Sequence, residues 1–168
     1  PSAPQPTDTA GIEAAGARWW PLALARELDD AILTMRTNER DIGTWLLTTS
    51  GDPQAVLAVD ATLANHADHW LVRETVGYLR RTFARLDVSS RTLFALVERG
   101  SCFAGTLLEL ALAADRTYML RLPDDPAAEP RLAVAACNFG AYPMVNRVSR
   151  LARRFCGDAG ELEAVERT

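Results

Sequence analysis

The densest chemistry in this chain lies in Gly100-Ser101-Cys102-Phe103-Ala104-Gly105-Thr106-Leu107-Leu108-Glu109, which follows the apolar run Thr92 to Val97. A strand that breaks into small residues and restarts as a helix leaves the first helical amides without intrahelical partners. At such a start the amides of Gly105 and Thr106 would face an anion or a developing oxyanion, with the helix dipole favouring negative charge. In a dry site each donor of this kind contributes on the order of 3 kcal/mol of transition-state stabilisation. Glu109 adds a carboxylate suited to proton transfer. Thr106-Leu107-Leu108-Glu109 is also a T-x-x-E capping box, in which the glutamate serves the helix alone, and the pattern leaves both readings open.

The remaining reactive side chains are scattered. Ser101 or Cys102 at a strand-to-helix turn invites a nucleophile with His66 or His69 as its base, but the local pattern is not G-x-S-x-G and neither histidine flanks the loop. Cys102 reads instead as a small packing residue. His66 and His69 are three apart with Asp68 between them, which puts both on one side of a helix start, but two ligands without a third do not make a metal site. Trp19, Trp20, Trp45 and Trp70 fall at element boundaries or in periodic runs and read as packing residues rather than an aromatic box. Arg147, Arg150, Arg153 and Arg154 are expected to form a solvated or interfacial helix face.

These residues need elements to hold them. Pro21 suits a first helical position, and Leu24, Leu28, Ala31, Ile32 and Met35 recur at helical spacing, so a helix is expected from Pro21 to Arg36. Ile42 to Thr49 and Ala55 to Asp60 are short apolar runs around the turn signal Ser50-Gly51-Asp52-Pro53 and are expected to be strands. Leu71, Thr75, Tyr78, Leu79, Thr82, Phe83 and Leu86 mark the longest helix. A strand at Thr92 to Val97, a helix from Gly105 to Ala114, a strand at Thr117 to Leu122, a weak strand at Leu132 to Ala135 and a helix from Val145 to Phe155 complete the pattern. Alternating strands and helices predict an α/β fold with a mostly parallel sheet. The proline-rich residues 1–18 are expected to be an extended linker or arm, 19–157 the domain, and 158–168 a tail without a packed element.

At 168 residues the chain suits one core. Its net charge of −4 speaks against a nucleic-acid partner, and no apolar run approaches the roughly 20 residues of a membrane helix. All 18 basic residues are Arg, which removes lysine from any mechanism. Three widely spaced cysteines fit neither a disulfide framework nor paired zinc ligands and suggest a cytoplasmic protein. The chain opens on Pro1 without a signal-peptide pattern and reads as a piece of something longer.

Gly105-Thr106-Leu107-Leu108-Glu109-Leu110-Ala111-Leu112-Ala113-Ala114-Asp115 resembles the loop G-G-G-x-E-L-A-L-A-x-D of the crotonase (enoyl-CoA hydratase/isomerase) superfamily. Ala135 to Pro143 echoes that superfamily's P-E-x-x-x-G-x-x-P pattern. The resemblance implies a ββα-superhelix incomplete at both ends, an acyl-CoA thioester as substrate, no separate cofactor and a homo-oligomer. It places an oxyanion hole at the amides of Ala58, Gly105 and Thr106, one catalytic carboxylate at Glu109, and Ala136 where the partner carboxylate would stand.

A closer likeness covers nearly all of the ordered chain. It looks like the C-terminal half of a two-halved carbon–carbon lyase of that superfamily, which opens the ring of oxygenated benzoyl-CoA with loss of formate. The other half would be the N-terminal crotonase-like partner and would hold both glutamates. On this resemblance the present half is structural and inactive alone. An acyl-CoA-binding module and a self-standing hydratase using Glu109 are the alternatives.

Overall fold

A computed structural model describes residues 1, 3–156 and 158–167. The expected boundary residue Gly157, the last residue Thr168, and Ser2 of the expected arm lie outside the described residues. The sheet has three parallel strands in the order β1 (Thr44–Leu47), β2 (Thr92–Val97) and β3 (Arg116–Met119). Thr44 pairs with Thr92 and Leu47 with Ala95, and Phe94 pairs with Arg116 and Val97 with Met119. The α/β reading with a parallel sheet therefore holds.

Helix α2 (Trp20–Thr37) begins with Pro21 inside its first turn, and α4 (Trp70–Asp87) buries Val72, Thr75, Leu79, Thr82, Phe83 and Leu86 along one stripe. The two pack together, and their apolar stripes meet Trp45, Leu93, Ala95 and Val97 from one face of the sheet in the main core. Helix α5 (Gly105–Ala113) enters the same core. Its first seven residues, Gly105 to Ala111, are all buried, as expected of a helix that is apolar nearly all round.

Five expectations need correction. Residues 55–60 are helical: α3 runs Pro53–Asn65, with Asp52 accepting a hydrogen bond from the Gln54 amide at 2.9 Å and Pro53 at its first position. An aspartate cap followed by proline is a helix start, and Val56, Val59 and Leu63 recur at helical spacing on its buried side.

Residues 1–18 are not wholly extended. Helix α1 (Thr9–Ala15) is capped by Asp8 and buries Ile12 completely in a second cluster with Trp19, Val59, Leu63 and Val72.

The helix expected from Val145 shortens to α6 (Arg150–Arg154), because Ser149 caps it by accepting from the Ala152 amide at 3.1 Å and Arg147 sits at φ 69°. The tail, expected to lack an element, forms α7 (Ala159–Glu166) behind the Asp158 cap. The weak strand at 132–135 reduces to a single bridge between Ala104 and Ala133.

A docked α1 has a measurable consequence. Ile12→Ala is expected to lower unfolding free energy by about 2–4 kcal/mol, in the range for burying a cavity under a truncated isoleucine. An extended arm would lose almost nothing, and urea denaturation distinguishes the two.

Candidate functional site

The site is built where α5 starts. Ala104 is the N-cap residue and supplies no side-chain hydrogen bond. Gly105 adopts φ 44°, and a Cβ there would lie 1.8 Å from Asp60 Oδ2, so only glycine fits both the conformation and the contact. The Gly105 amide donates to the Ala133 carbonyl at 2.9 Å. The Thr106 amide donates to Asp60 Oδ2 at 2.8 Å, and the Thr106 hydroxyl donates to Asp60 Oδ1. The next two amides, Leu107 and Leu108, both donate to the Ala104 carbonyl. All four amides of the first turn are therefore engaged within the protein.

Asp60 reaches this position from the buried side of α3 and is 7% exposed. Its carboxylate stands where an oxyanion would sit, so the anion that the helix start attracts is part of the chain itself. Because Thr106 Oγ1 gives its only proton to Asp60, the Tyr142 hydroxyl 3.0 Å away must donate to Thr106, which makes a relay from Tyr142 through Thr106 to Asp60. Cys137 Sγ lies 3.8 Å from Asp60 Oδ2. Burial raises the Asp60 pKa against the opposing hydrogen bonds from Thr106. Burial, with nearby Asp60 and Glu109, pushes the Cys137 thiol up, toward the protonated form. The Tyr142 hydroxyl is also raised, chiefly by burial.

Glu109 lies one turn further on and is 1% exposed. Asn138 Nδ2 donates to it at 2.7 Å and Arg150 Nη1 at 3.0 Å. The T-x-x-E capping box is therefore not formed: Thr106 serves Asp60, and Glu109 turns to Asn138 and Arg150 rather than back to the helix start. Asn138 Nδ2 also donates to the Gly105 carbonyl at 2.9 Å, and its Oδ1 accepts from the Ala135 amide at 3.0 Å, which ties the 136–139 turn to α5.

Arg150 is 2% exposed and not part of a solvated face. It grips Asp87 through two hydrogen bonds of 3.1 and 2.9 Å, and donates to Glu109 and to the Tyr142 carbonyl. Arg154 caps the other end of α5 by donating to the Leu112 carbonyl at 3.1 Å and to the Ala114 carbonyl at 2.5 Å. One guanidinium thus faces two buried carboxylates. Burial raises the pKa of both Glu109 and Asp87, with Asn138 and Arg150 opposing the rise at Glu109 and Arg150 opposing it at Asp87.

Of the residues singled out from sequence, Gly105, Thr106 and Glu109 do share one helix, but Ala58 does not join them as a donor. It lies inside α3, where its amide belongs to the intrahelical ladder, and its carbonyl accepts from the Thr62 hydroxyl at 3.0 Å. The reading that placed a second oxyanion amide at Ala58 is corrected accordingly.

His66 Nε2 lies 2.9 Å from the Thr7 carbonyl, and His69 Nε2 lies 3.0 Å from Glu13 Oε1. Both histidines fasten the N-terminal segment, and neither contacts Ser101 or Cys102. Ser101 Oγ accepts from the Glu98 amide at 2.9 Å, and Cys102 is buried in the core. No cluster of three or more metal-ligating side chains occurs among the described residues.

Asp60, Asn138, Tyr142 and Arg150 are the partners that sequence reasoning missed. For Asp60 a signal existed, since it is the single acid on the apolar side of a helix that Asp52-Pro53 announces. A cleft of about 500 Å³ opens beside it, walled by Leu57, Ala61, Ala64, Val76 and Ala136 with Asp60 and Tyr142 at its polar end.

Parallel strands, a helix that starts at a small-residue loop, and an internal carboxylate on its Thr106 amide and hydroxyl define an α/β fold with a filled anion site. No protein-family model matches the chain. The chain is 56% identical over 166 residues, 99% of its length, to the benzoyl-CoA-dihydrodiol lyase of Aromatoleum evansii. It spans 29% of that protein's length.

Two substitutions separate the contacts. Arg150→Met leaves Asp87 and Glu109 buried without their cation and is expected to cost about 3–5 kcal/mol in denaturant unfolding. Asp60→Asn can still accept from the Thr106 amide and should keep the fold. A raised folded-state pKa means that the acid contributes stability fully below its unfolded value, and that this contribution is lost as pH rises through the folded value. Wild-type stability is therefore expected to fall over that window, and Asp60→Asn should flatten the fall. An unchanged pH profile would contradict the buried placement of Asp60.

Proposed function

We propose that this chain is the non-catalytic part of a carbon–carbon lyase of the crotonase superfamily. In this reading the whole protein opens the ring of oxygenated benzoyl-CoA, as its 2,3-dihydrodiol with one water or its epoxide with two, to 3,4-dehydroadipyl-CoA semialdehyde and formate. The observation that carries the reading is the filled helix start. The Thr106 amide, which would have to receive a thioester oxygen, is held by Asp60 at 2.8 Å.

Two further features support it. Glu109 is locked between Asn138 and Arg150, out of reach of a substrate proton, and Ala136 supplies no carboxylate. Proton transfer next to a thioester needs a base within hydrogen-bond reach, and neither of the two superfamily carboxylate positions, Glu109 and Ala136, supplies one in this reading. The similarity to a named lyase supports the substrate class.

The chain then acts as a scaffold for the catalytic part, a crotonase-like half N-terminal to it, in a homo-oligomer in the cytoplasm. It uses no cofactor beyond the CoA of the substrate, and no nucleic acid or membrane takes part. No helix among the described residues is long and apolar enough to cross a membrane.

A second reading, an acyl-CoA-binding module without catalysis, draws on the apolar cleft beside Asp60. The carboxylate at its polar end repels a thioester oxyanion and favours a hydrogen-bond donor instead, which weighs against that reading.

Incubation of the 168-residue chain with the dihydrodiol or epoxide of benzoyl-CoA is expected to release no formate above the uncatalysed rate. The longer polypeptide containing it should release formate stoichiometrically with substrate loss. Turnover by the short chain alone contradicts the scaffold role. Saturable heat on titrating the short chain with benzoyl-CoA, without turnover, would favour the binding module.

A further inference from the structure

Parallel sheets are ordinarily covered on both faces, and here β1 and β2 are covered on one while all four residues of β3 are exposed. Along β2, Leu93, Ala95 and Val97 are buried against the helices, while Phe94 and Leu96 point the other way and remain half-buried. Strand register puts Leu46 beside Phe94, and Tyr118 beside Leu96. Leu46 is 62% exposed and Tyr118 51%. Phe94 and Tyr118 meet edge to face at 5.8 Å, so the four side chains form one apolar patch already ordered by the sheet. Arg116, in register with Phe94 on the same face, makes no ion pair among the described residues.

We propose that this sheet face is the surface by which the domain docks onto the remainder of a longer polypeptide, which covers it with an apolar element carrying a carboxylate opposite Arg116. The inference rests on the scaffold reading above and gives that role a place on the molecule. Two observations choose the occupant. The similar lyase has most of its length outside the matched region, and an element tethered in the same chain meets the patch at a millimolar effective concentration. The outward residues of the three strands, Thr44, Leu46, Thr92, Phe94, Leu96, Arg116 and Tyr118, include no acid. A second copy of this face would bring another arginine and nothing to neutralise either, and a covered cation needs a partner.

Maleimide labelling of Leu46→Cys, read peptide by peptide with mass spectrometry, tests the surface in the 168-residue chain and in the longer polypeptide that contains it. The expected result is free-thiol labelling in the short chain and labelling slowed by about 100-fold in the longer one. Adding Arg116→Glu to the longer polypeptide should restore labelling at least about tenfold. Hydroxyl-radical footprinting of Tyr118 in both unmodified chains gives the same comparison without a substitution.

Equal reactivity in the two chains overturns the proposal. Protection in the short chain that grows with concentration, accompanied by a dimer mass in light scattering, overturns it in favour of a second copy. Formate release by the short chain would instead overturn the scaffold reading, and the labelling ratio would still report the surface.

Discussion

The hydrogen bonds from Thr106 to Asp60 are the contact on which the rest of this domain turns. A helix start gathers unpaired N–H groups and a positive dipole end, and buried donors of that kind must be satisfied. In this chain α3 delivers the acceptor, the bridge at Ala133 satisfies the preceding amide, and glycine at 105 leaves the space that Asp60 occupies. The same geometry that could stabilise a substrate's negative charge instead joins α3, α5 and the segment after β3. An internal carboxylate is always present at high effective concentration, so a thioester oxygen would have to displace it.

A second buried charge system secures the other side of α5. Arg150 from α6 faces Asp87 at the end of α4 and Glu109 in the middle of α5. Burial raises the pKa of both carboxylates against the pull of the one cation between them, and the arrangement is costly to break. Asn138 completes it by holding Glu109 and the Gly105 carbonyl together. Glu109 therefore positions elements, and it is not free to meet a substrate.

Much of this was legible where a pattern is local. The strand Thr92–Val97, the amphipathic stripes of α2 and α4, and a helix beginning at Gly105 all follow from periodicity and small residues. Ala55 to Asp60 misled because a six-residue apolar run fits a strand or a buried helix equally well, and the Asp52-Pro53 start settles it in favour of the helix. The filled anion site was not legible, since Asp60 and Thr106 are 46 residues apart and nothing near either one names the other. Arg150 looked like one of several surface arginines because its burial depends on acids from two distant helices. Local chemistry marked the loop, and only long-range packing decided whether its amides were open.

The most direct measurement of that decision is the ¹⁵N–¹H resonance of Thr106 in the intact 168-residue chain, followed during a pH titration and then during a titration with benzoyl-CoA. If Asp60 holds the amide, the Thr106 resonance shifts with the protonation of that carboxylate and stays in place as benzoyl-CoA is added. A saturable shift of the Thr106 amide on adding benzoyl-CoA, with no response to the Asp60 titration, would show an open oxyanion donor and contradict the account.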